Sequence, residues 1–309
     1  MATNVNPAGY PRRPRAVPLG PSRARRLITS ACAAVSLTVT AACGDFDFDM
    51  PPQQPTGCFL DDSEDTYNPN GEQTYYAATI AAVGSHMEVP DRGITIALAT
   101  AWQESSMSNI DYGDRDSVGL FQQRPSQGWG SEEELTDPVY ASTAFYNKLV
   151  TINGWQEMNL AEAAQAVQIS AHPEKYAKWG PESELLTEVF AGGMSEGVVC
   201  SATRSADDGS TSTDEFVAEY QRNWSASNLN VDGTDLTVDV ADSQNGWAIA
   251  NWAVTRSTMY AIESVSYDGK HWQPEQLEWL DTDTEGSTST VTITLTEPTD
   301  EAEGGGDGQ

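Results

Sequence analysis

Basic residues are scarce in this chain: 16 Lys and Arg stand against 46 Asp and Glu, a net charge of −30 at pH 7. A surface this acidic repels phosphate backbones and anionic lipid headgroups, which argues against nucleic acid as a partner. Its plain physical meaning is a well-solvated surface. Histidine is scarcer still. His86, His172 and His271 are scattered, and there is neither an HExxH element nor a paired CxxC. No glycine loop has the spacing that cradles phosphate, and the aspartate-rich stretches lack the ligand spacing of a calcium loop. Neither a metal nor an organic cofactor is expected. Long apolar runs are also missing: after residue 43 none reaches the length of a membrane span, which disfavours a transporter.

The N-terminal region has the basic residues that the rest lacks. Arg12, Arg13, Arg15, Arg23, Arg25 and Arg26 precede an apolar, small-residue stretch from Leu27 to Ala42, and no acid occurs before Asp45. A basic start, a short apolar core and small residues before a cut site describe a secretory signal over residues 1–42. The pair Arg25-Arg26 also permits twin-arginine export. Thr40-Ala41-Ala42 ahead of Cys43 resembles a bacterial lipobox. That resemblance implies cleavage before Cys43 and a lipid on its sulfur that anchors the chain to a membrane; simple secretion is the alternative. Losing this leader removes six arginines and no acid, which takes the net charge from −30 to −36. Of the four cysteines, Cys32 lies in the leader and Cys43 is the lipidation candidate. Cys58 and Cys200 remain, and an even pair in an oxidising compartment is expected to form a disulfide.

Residues 43–66 are acidic and proline-rich and read as an extended tether. From 67 to 200 the pattern is mainly helical, with apolar spacing over Gly71–His86, Ile94–Met107, Pro138–Leu149, Leu160–Ile169 and Glu182–Phe190. Asp91 and the Asp137-Pro138 pair are start signals for two of these helices. Between them, Asp111 to Gly130 is polar and glycine-containing. A short hairpin fits there, with Val118–Gln122 as a strand candidate. Residues 201–213 read as a linker. In 214–297, helical spacing over Asp214–Trp224 and Gly246–Met259 alternates with strand patterns at Leu236–Val240, Ile262–Tyr267 and Val291–Leu295. This predicts a small α+β module after the helical domain, an α+β chain overall. Its tryptophans 247, 252, 272 and 279 are expected in a core, with a glycan-binding face as the alternative. Residues 298–309 are disordered by composition.

The chemistry centres on Glu104. The run Ile94–Met107 carries its carboxyl into low-dielectric surroundings, where desolvation raises the pKa and lets the group act as a general acid. The plainer alternative is a helix-end carboxylate in a salt bridge. Gln103-Glu104-Ser105-Ser106, followed by Gly119-Leu120-Phe121-Gln122 and an alanine-rich helix, resembles the lysozyme-like lytic transglycosylase family. In that family a helix ends in Glu-Ser, a short hairpin carries Gly-Leu-Met-Gln, and a later helix carries Ala-Tyr-Asn. The likeness covers roughly residues 70–190 and implies a lysozyme-like fold for 67–200. Implied with it is cleavage of peptidoglycan glycan strands between N-acetylmuramic acid and N-acetylglucosamine, with Glu104 as general acid and base. Ser105 is then expected to hold the carboxyl or a sugar hydroxyl. Gln122 binds an N-acetyl or hydroxyl group, or else satisfies the loop backbone. Gln123, Gln168 and Tyr176 complete the expected substrate contacts, and Trp129 forms a sugar-stacking wall or a loop anchor.

The third motif departs from the family, because Ala166-Val167-Gln168 stands where Ala-Tyr-Asn belongs. Valine supplies no phenol. Tyr176 or Trp179 just downstream could fill that space, or both are core residues. Without a replacement the chain reads instead as a non-catalytic envelope lipoprotein that binds glycan strands. A hydrolytic mechanism needs a second carboxylate; Asp111, Asp114 and Asp116 are the candidates, unless they pair with Arg115 or Arg124. The oligomeric state is not legible from the sequence.

Overall fold

The computed structural model describes residues 57–60, 69–169, 173–201, 212–224, 228–257, 259–274, 276–282 and 286–297. The leader, the lipidation candidate Cys43, most of the tether and linker, and the tail after 297 lie outside the described residues. Helix α1 (Gly71–His86) starts at Asn70, which accepts from the Gln73 N–H while the Gln73 side chain accepts from the Asn70 N–H. This reciprocal cap satisfies two donors that no helical carbonyl can reach. Helix α2 (Asp91–Ser105) starts differently from the expectation: Pro90 is its N-cap, no side chain caps it, and Asp91 is its first residue. There the carboxylate meets the positive end of the helix dipole instead.

Every residue of α2 from Gly93 to Trp102 is buried. The run carries no charge, and a helix apolar on all sides must be enclosed on all sides. After the short α3 (Glu132–Leu135) come α4 (Pro138–Leu149), capped by Asp137, α5 (Leu160–Gln168), with a capping box between Asn159 and Glu162, and α6 (Gly180–Phe190). Helices α1, α4, α5 and α6 all pack on α2. Strands β1 (Cys58–Leu60) and β2 (Val198–Cys200) pair antiparallel with Cys58 opposite Cys200, and the two are disulfide-bonded. The bridge therefore ties together the two ends of the helical part.

The second part adds α7 (Thr213–Trp224), α8 (Ser243–Arg256) and six antiparallel strands: β3 (Leu229–Asp232), β4 (Asp235–Asp239), β5 (Ile262–Tyr267), β6 (Lys270–Trp272), β7 (Leu280–Asp281) and β8 (Thr290–Leu295). Their order across the sheet is β3-β4-β8-β5-β6-β7. The turn between β5 and β6 uses Asp268 and Gly269, both at positive φ (50° and 75°), as a two-residue hairpin requires. The fold is thus mixed α+β with the helical part first.

Alternate residues of β4, β5 and β8 (Leu236, Val238, Val265, Tyr267, Val291, Ile293) are buried, and α8 lies against β5 and β8. Gly246 lets the Tyr267 ring approach so closely that a Cβ there would sit 2.0 Å from it. Trp247, Trp252, Trp272 and Trp279 are all buried, so they build a core and not a glycan-binding face.

The opposite side of α8 packs on α1 and α6. Buried residues of the helical part and of the sheet join one continuous core, and Pro52–Gln309 is one compact unit. The expected boundary at 201–213 therefore separates two stretches of sequence, not two cores. The reason is α8 itself, whose residues Gly246 to Arg256 are all buried and need cover on both sides.

Arg256 fastens this junction. Its side chain is wholly buried, and its guanidinium donates to the Tyr75 carbonyl (3.1 Å), Thr79 (2.7 Å), Asn223 (3.1 Å) and the Glu219 carboxylate (3.2 Å). It also lies 4.2 Å from the ring centres of both Tyr75 and Trp252. Glu219 accepts in turn from the Tyr75 hydroxyl at 2.8 Å. An arginine keeps its charge at any accessible pH, so removing its carboxylate partner leaves a buried, uncompensated cation. Glu219→Ala is expected to lower stability by about 3–5 kcal/mol, read from urea unfolding of the whole chain.

Candidate active site

Helix α2 stops because Ser106 turns left-handed (φ 55°), so that Ser106 N–H donates to the Trp102 carbonyl and Met107 N–H to that of Ala101. The Gln73 amide holds the Ser106 carbonyl at 3.0 Å. Glu104 therefore stands in the last turn, where the enclosed helix reaches the surface, and its side chain is half-buried.

Facing that turn is a small hairpin. Val118 and Gln123 exchange backbone hydrogen bonds of 3.0 and 3.1 Å around the turn Gly119-Leu120-Phe121-Gln122. Gly119 has φ 75°, and a Cβ on it would lie 2.1 Å from the Leu135 carbonyl oxygen, so glycine is required twice over. Leu120 and Phe121 are fully buried, and the Phe121 ring stacks on Phe145 at 4.8 Å. The Ser105 hydroxyl lies 2.8 Å from the Leu120 carbonyl and 3.1 Å from that of Ala101, which fastens the hairpin to the helix end.

Two side chains reach Glu104. Tyr176, 1% exposed, donates its phenolic hydrogen to Glu104 Oε1 in a short hydrogen bond of 2.5 Å. Gln168, at the end of α5, lies near enough to Glu104 to favour its ionised form, and it donates from Nε2 to the Phe121 carbonyl at 2.6 Å. Burial pushes the Glu104 pKa up, and Tyr176 and Gln168 pull it back in part; the net result lies above the usual carboxylate range. Beside the acid, Trp102 and Trp179 stack at 5.3 Å, and the Trp179 indole N–H donates to Gln103 Oε1 at 3.3 Å. Trp102 was not anticipated as part of the site, although it lies only two positions before Glu104.

Several expected contacts fall elsewhere. Ser105 spends its hydroxyl on backbone carbonyls, not on the Glu104 carboxyl. Gln122, at φ 47°, donates to the Tyr112 and Gly119 carbonyls, both at 3.3 Å, so it serves the loop backbone. Gln123 is 2% exposed and donates to the Ala141 carbonyl, which makes it an internal anchor and not a substrate contact. Trp129 packs partly buried against the core, and its carbonyl accepts from the Tyr140 hydroxyl. It anchors its loop. Val167 faces the core and is fully buried.

Asp116 is held by Arg124 (2.7 Å) and by the Ser126 N–H and hydroxyl (2.7 and 3.0 Å). Those hydrogen bonds, first the ones from Ser126, depress its pKa well below the usual range. Asp114 is exposed beside Arg115. Asp111 lines an open cavity of about 690 Å³ with Asn109, Tyr112, Glu132 and Thr136; Glu104 is not among its lining residues. Gly193-Met194-Ser195-Glu196-Gly197 matches a Gly-x-Ser-x-Gly string by letters alone. It lies in a turn between a helix and a strand, the reverse of the strand-to-helix elbow that exposes a nucleophilic serine. Among the described residues, no group of three or more His, Cys, Asp and Glu side chains is arranged to hold a metal ion.

No protein-family model matches the chain, and no curated protein matches it in sequence.

Removing the phenol removes a hydrogen bond that favours the ionised carboxyl. Tyr176→Phe is therefore expected to move the Glu104 pKa further up, seen in the carboxyl carbon shift of labelled protein. The native state holds the Glu104 proton to higher pH than the unfolded chain does. Stability attributable to this group is thus full below the ordinary glutamate pKa and falls as pH rises through the raised one. Glu104→Gln should flatten that slope and unfold at higher urea than the parent above this window.

Proposed function

We propose that this protein cleaves peptidoglycan glycan strands between N-acetylmuramic acid and N-acetylglucosamine, with Glu104 as its single general acid and base. The observation that carries the reading is the Glu104 carboxyl, partly desolvated, its pKa raised, and gripped by Tyr176 at 2.5 Å. A carboxyl whose pKa is raised keeps its proton to higher pH than an exposed glutamate does, and it can give that proton to a leaving oxygen.

In this mechanism Glu104 protonates the glycosidic oxygen as the bond from that oxygen to the muramyl anomeric carbon breaks. The acetamido oxygen of the same sugar covers the developing positive charge at that carbon. Glu104, now a carboxylate steadied by Tyr176 and Gln168, takes the proton of the muramyl 6-hydroxyl. That oxygen bonds to the anomeric carbon, the acetamido group is released, and Glu104 is again protonated. No water is consumed, and the product is a 1,6-anhydro sugar.

A hydrolytic variant requires a second carboxylate on the sugar's other face. Asp116 is committed to Arg124 and Ser126, Asp114 stands in solvent, and Asp111 lines a cavity that Glu104 does not line, which together favour the anhydro route. The reading as a glycan binder without turnover rested on Val167. Tyr176 brings a phenol to the carboxyl from nine positions further along, which speaks against that ground. A lipid on Cys43 and a tether over residues 43–66 would hold the site at the outer face of the membrane, where such strands lie.

Digestion of purified cell wall tests the proposal. The parent chain should release soluble muropeptides whose ends weigh one water less than reducing ends. Glu104→Gln should release them about 10²–10⁴ times more slowly. Equal release by both proteins, or reducing ends only, would overturn the single-acid mechanism.

A further inference from the structure

The few basic residues of this chain are mostly committed within it. Among the described residues, Arg115, Arg124, Arg222, Arg256 and Lys270 each pair with a carboxylate. Arg92 donates to the carbonyls of Gln156 and Met158. That leaves Lys148 on α4, and Lys175 and Lys178 in the segment that brings Tyr176 to Glu104. On a chain of net charge −30, two of the three cations left without an ion pair thus stand beside the candidate acid.

The winding of this segment places them. Pro173–Lys175 and Ala177–Trp179 are 3-10 turns, and Tyr176 between them is helical (φ −73°, ψ −32°). At three residues per turn and about 2 Å of rise per residue, side chains three positions apart share a face and stand about 6 Å apart. Tyr176 and Trp179 are one such pair and point inward. Tyr176 holds the Glu104 carboxyl, while Trp179 stacks on Trp102 and donates to Gln103. Lys175 and Lys178 are the next pair, and both are exposed. The Lys178 ammonium lies 4.6 Å from the centre of the Trp179 ring, so one ring separates it from Gln103, the neighbour of Glu104. Glu174 falls on the third face, with Ala177, and has an interaction of its own.

Two ammonium groups donate and never accept, so their ligand must bring negative charge and acceptor oxygens. The two sugars of a peptidoglycan strand differ in that respect. N-acetylglucosamine is neutral. N-acetylmuramic acid carries a lactyl carboxylate, or in its place a stem peptide with carboxylates of its own. The remaining surface is acidic and repels such a strand. A positive strip beside Glu104 offsets that repulsion where the strand has to settle.

We propose that Lys175 and Lys178 bind a carboxylate of the strand beside Glu104, and so select muramyl glycan over a neutral N-acetylglucosamine polymer. This rests on the strand-cleaving reading for the identity of the ligand, and its test reads binding, not cleavage. The full exported chain carrying Glu104→Gln is titrated calorimetrically with three tetrasaccharides. One alternates the two sugars with free lactyl carboxylates, the second is the same with stem peptides attached, and the third is neutral chitotetraose. At least one charged probe should bind about ten-fold more tightly than chitotetraose, and the one that does identifies the source of the carboxylate. Adding Lys175→Gln and Lys178→Gln should abolish that advantage and leave chitotetraose binding unchanged, whereas a general disturbance of the site weakens all three. Arginine at both positions should keep the advantage, and about 1 M salt should erase it.

The assignment is overturned if chitotetraose binds as tightly as both charged probes, or if none of the three binds. It is overturned equally if the double Gln variant holds the charged probes as tightly as the chain with both lysines. Failure of the parent chain to release muropeptides, with lysine-dependent binding intact, would remove the catalytic reading and leave the lysine pair standing.

Discussion

From Gly93 to Trp102 helix α2 has no side facing water, and the rest of the candidate site follows from that constraint. A charge-free run from Gly93 to Trp102 can be stable only inside other helices, so α1, α4, α5 and α6 gather around it. Where it emerges, the polar side chains Gln103 and Glu104 are caught between the interior and solvent, and Glu104 carries the only ionisable group of the two. Its carboxyl is too enclosed to ionise as readily as a surface glutamate, yet it is not shut off from the surface. The elements that enclose α2 also bring the groups that tune the acid: the end of α5 supplies Gln168, and the segment leading to α6 supplies Tyr176.

A second enclosed helix, α8, does for the whole chain what α2 does for the site. With the sheet on one side and α1 and α6 on the other, it makes one core from two stretches that differ in sequence character. Arg256 at its end is surrounded by one carboxylate, three side-chain oxygens, a carbonyl and two aromatic faces. Buried ion pairs of this kind contribute little net stability, but they penalise any packing that separates the partners. The disulfide between Cys58 and Cys200 closes the helical part at its own two ends.

The residues around Glu104 divide into chemistry and carpentry. Of the Gly-Leu-Phe-Gln turn, Gly119 avoids the Leu135 carbonyl, Leu120 and Phe121 fill the core, and Gln122 binds its own loop. Ser105 and Gln123 likewise serve the backbone. Motif letters here mostly specify the hairpin's shape, and the shape brings the Phe121 carbonyl to Gln168. The phenol shows the converse: position in space, not in sequence, decides that Tyr176 reaches the Glu104 carboxyl while Val167 fills the core.

What the sequence by itself determined is what local periodicity and caps encode. The spans of α1, α4 and α5, the strand and turn at 262–269, and Glu104 at the end of an apolar helix all follow from neighbours a few positions apart, while the cysteine pairing follows from the cysteine count and an oxidising compartment. The short strands β1, β2, β3, β6 and β7 were not legible, since two to four residues carry no period. Only the tertiary structure decided that Tyr176 lies on Glu104, that Ser105 and Gln123 face backbone carbonyls, and that the second half shares a core with the first. Hydrogen bonds between distant segments depend on the direction in which packed helices point their side chains. That direction is a property of the assembled core, and no stretch of sequence contains it alone.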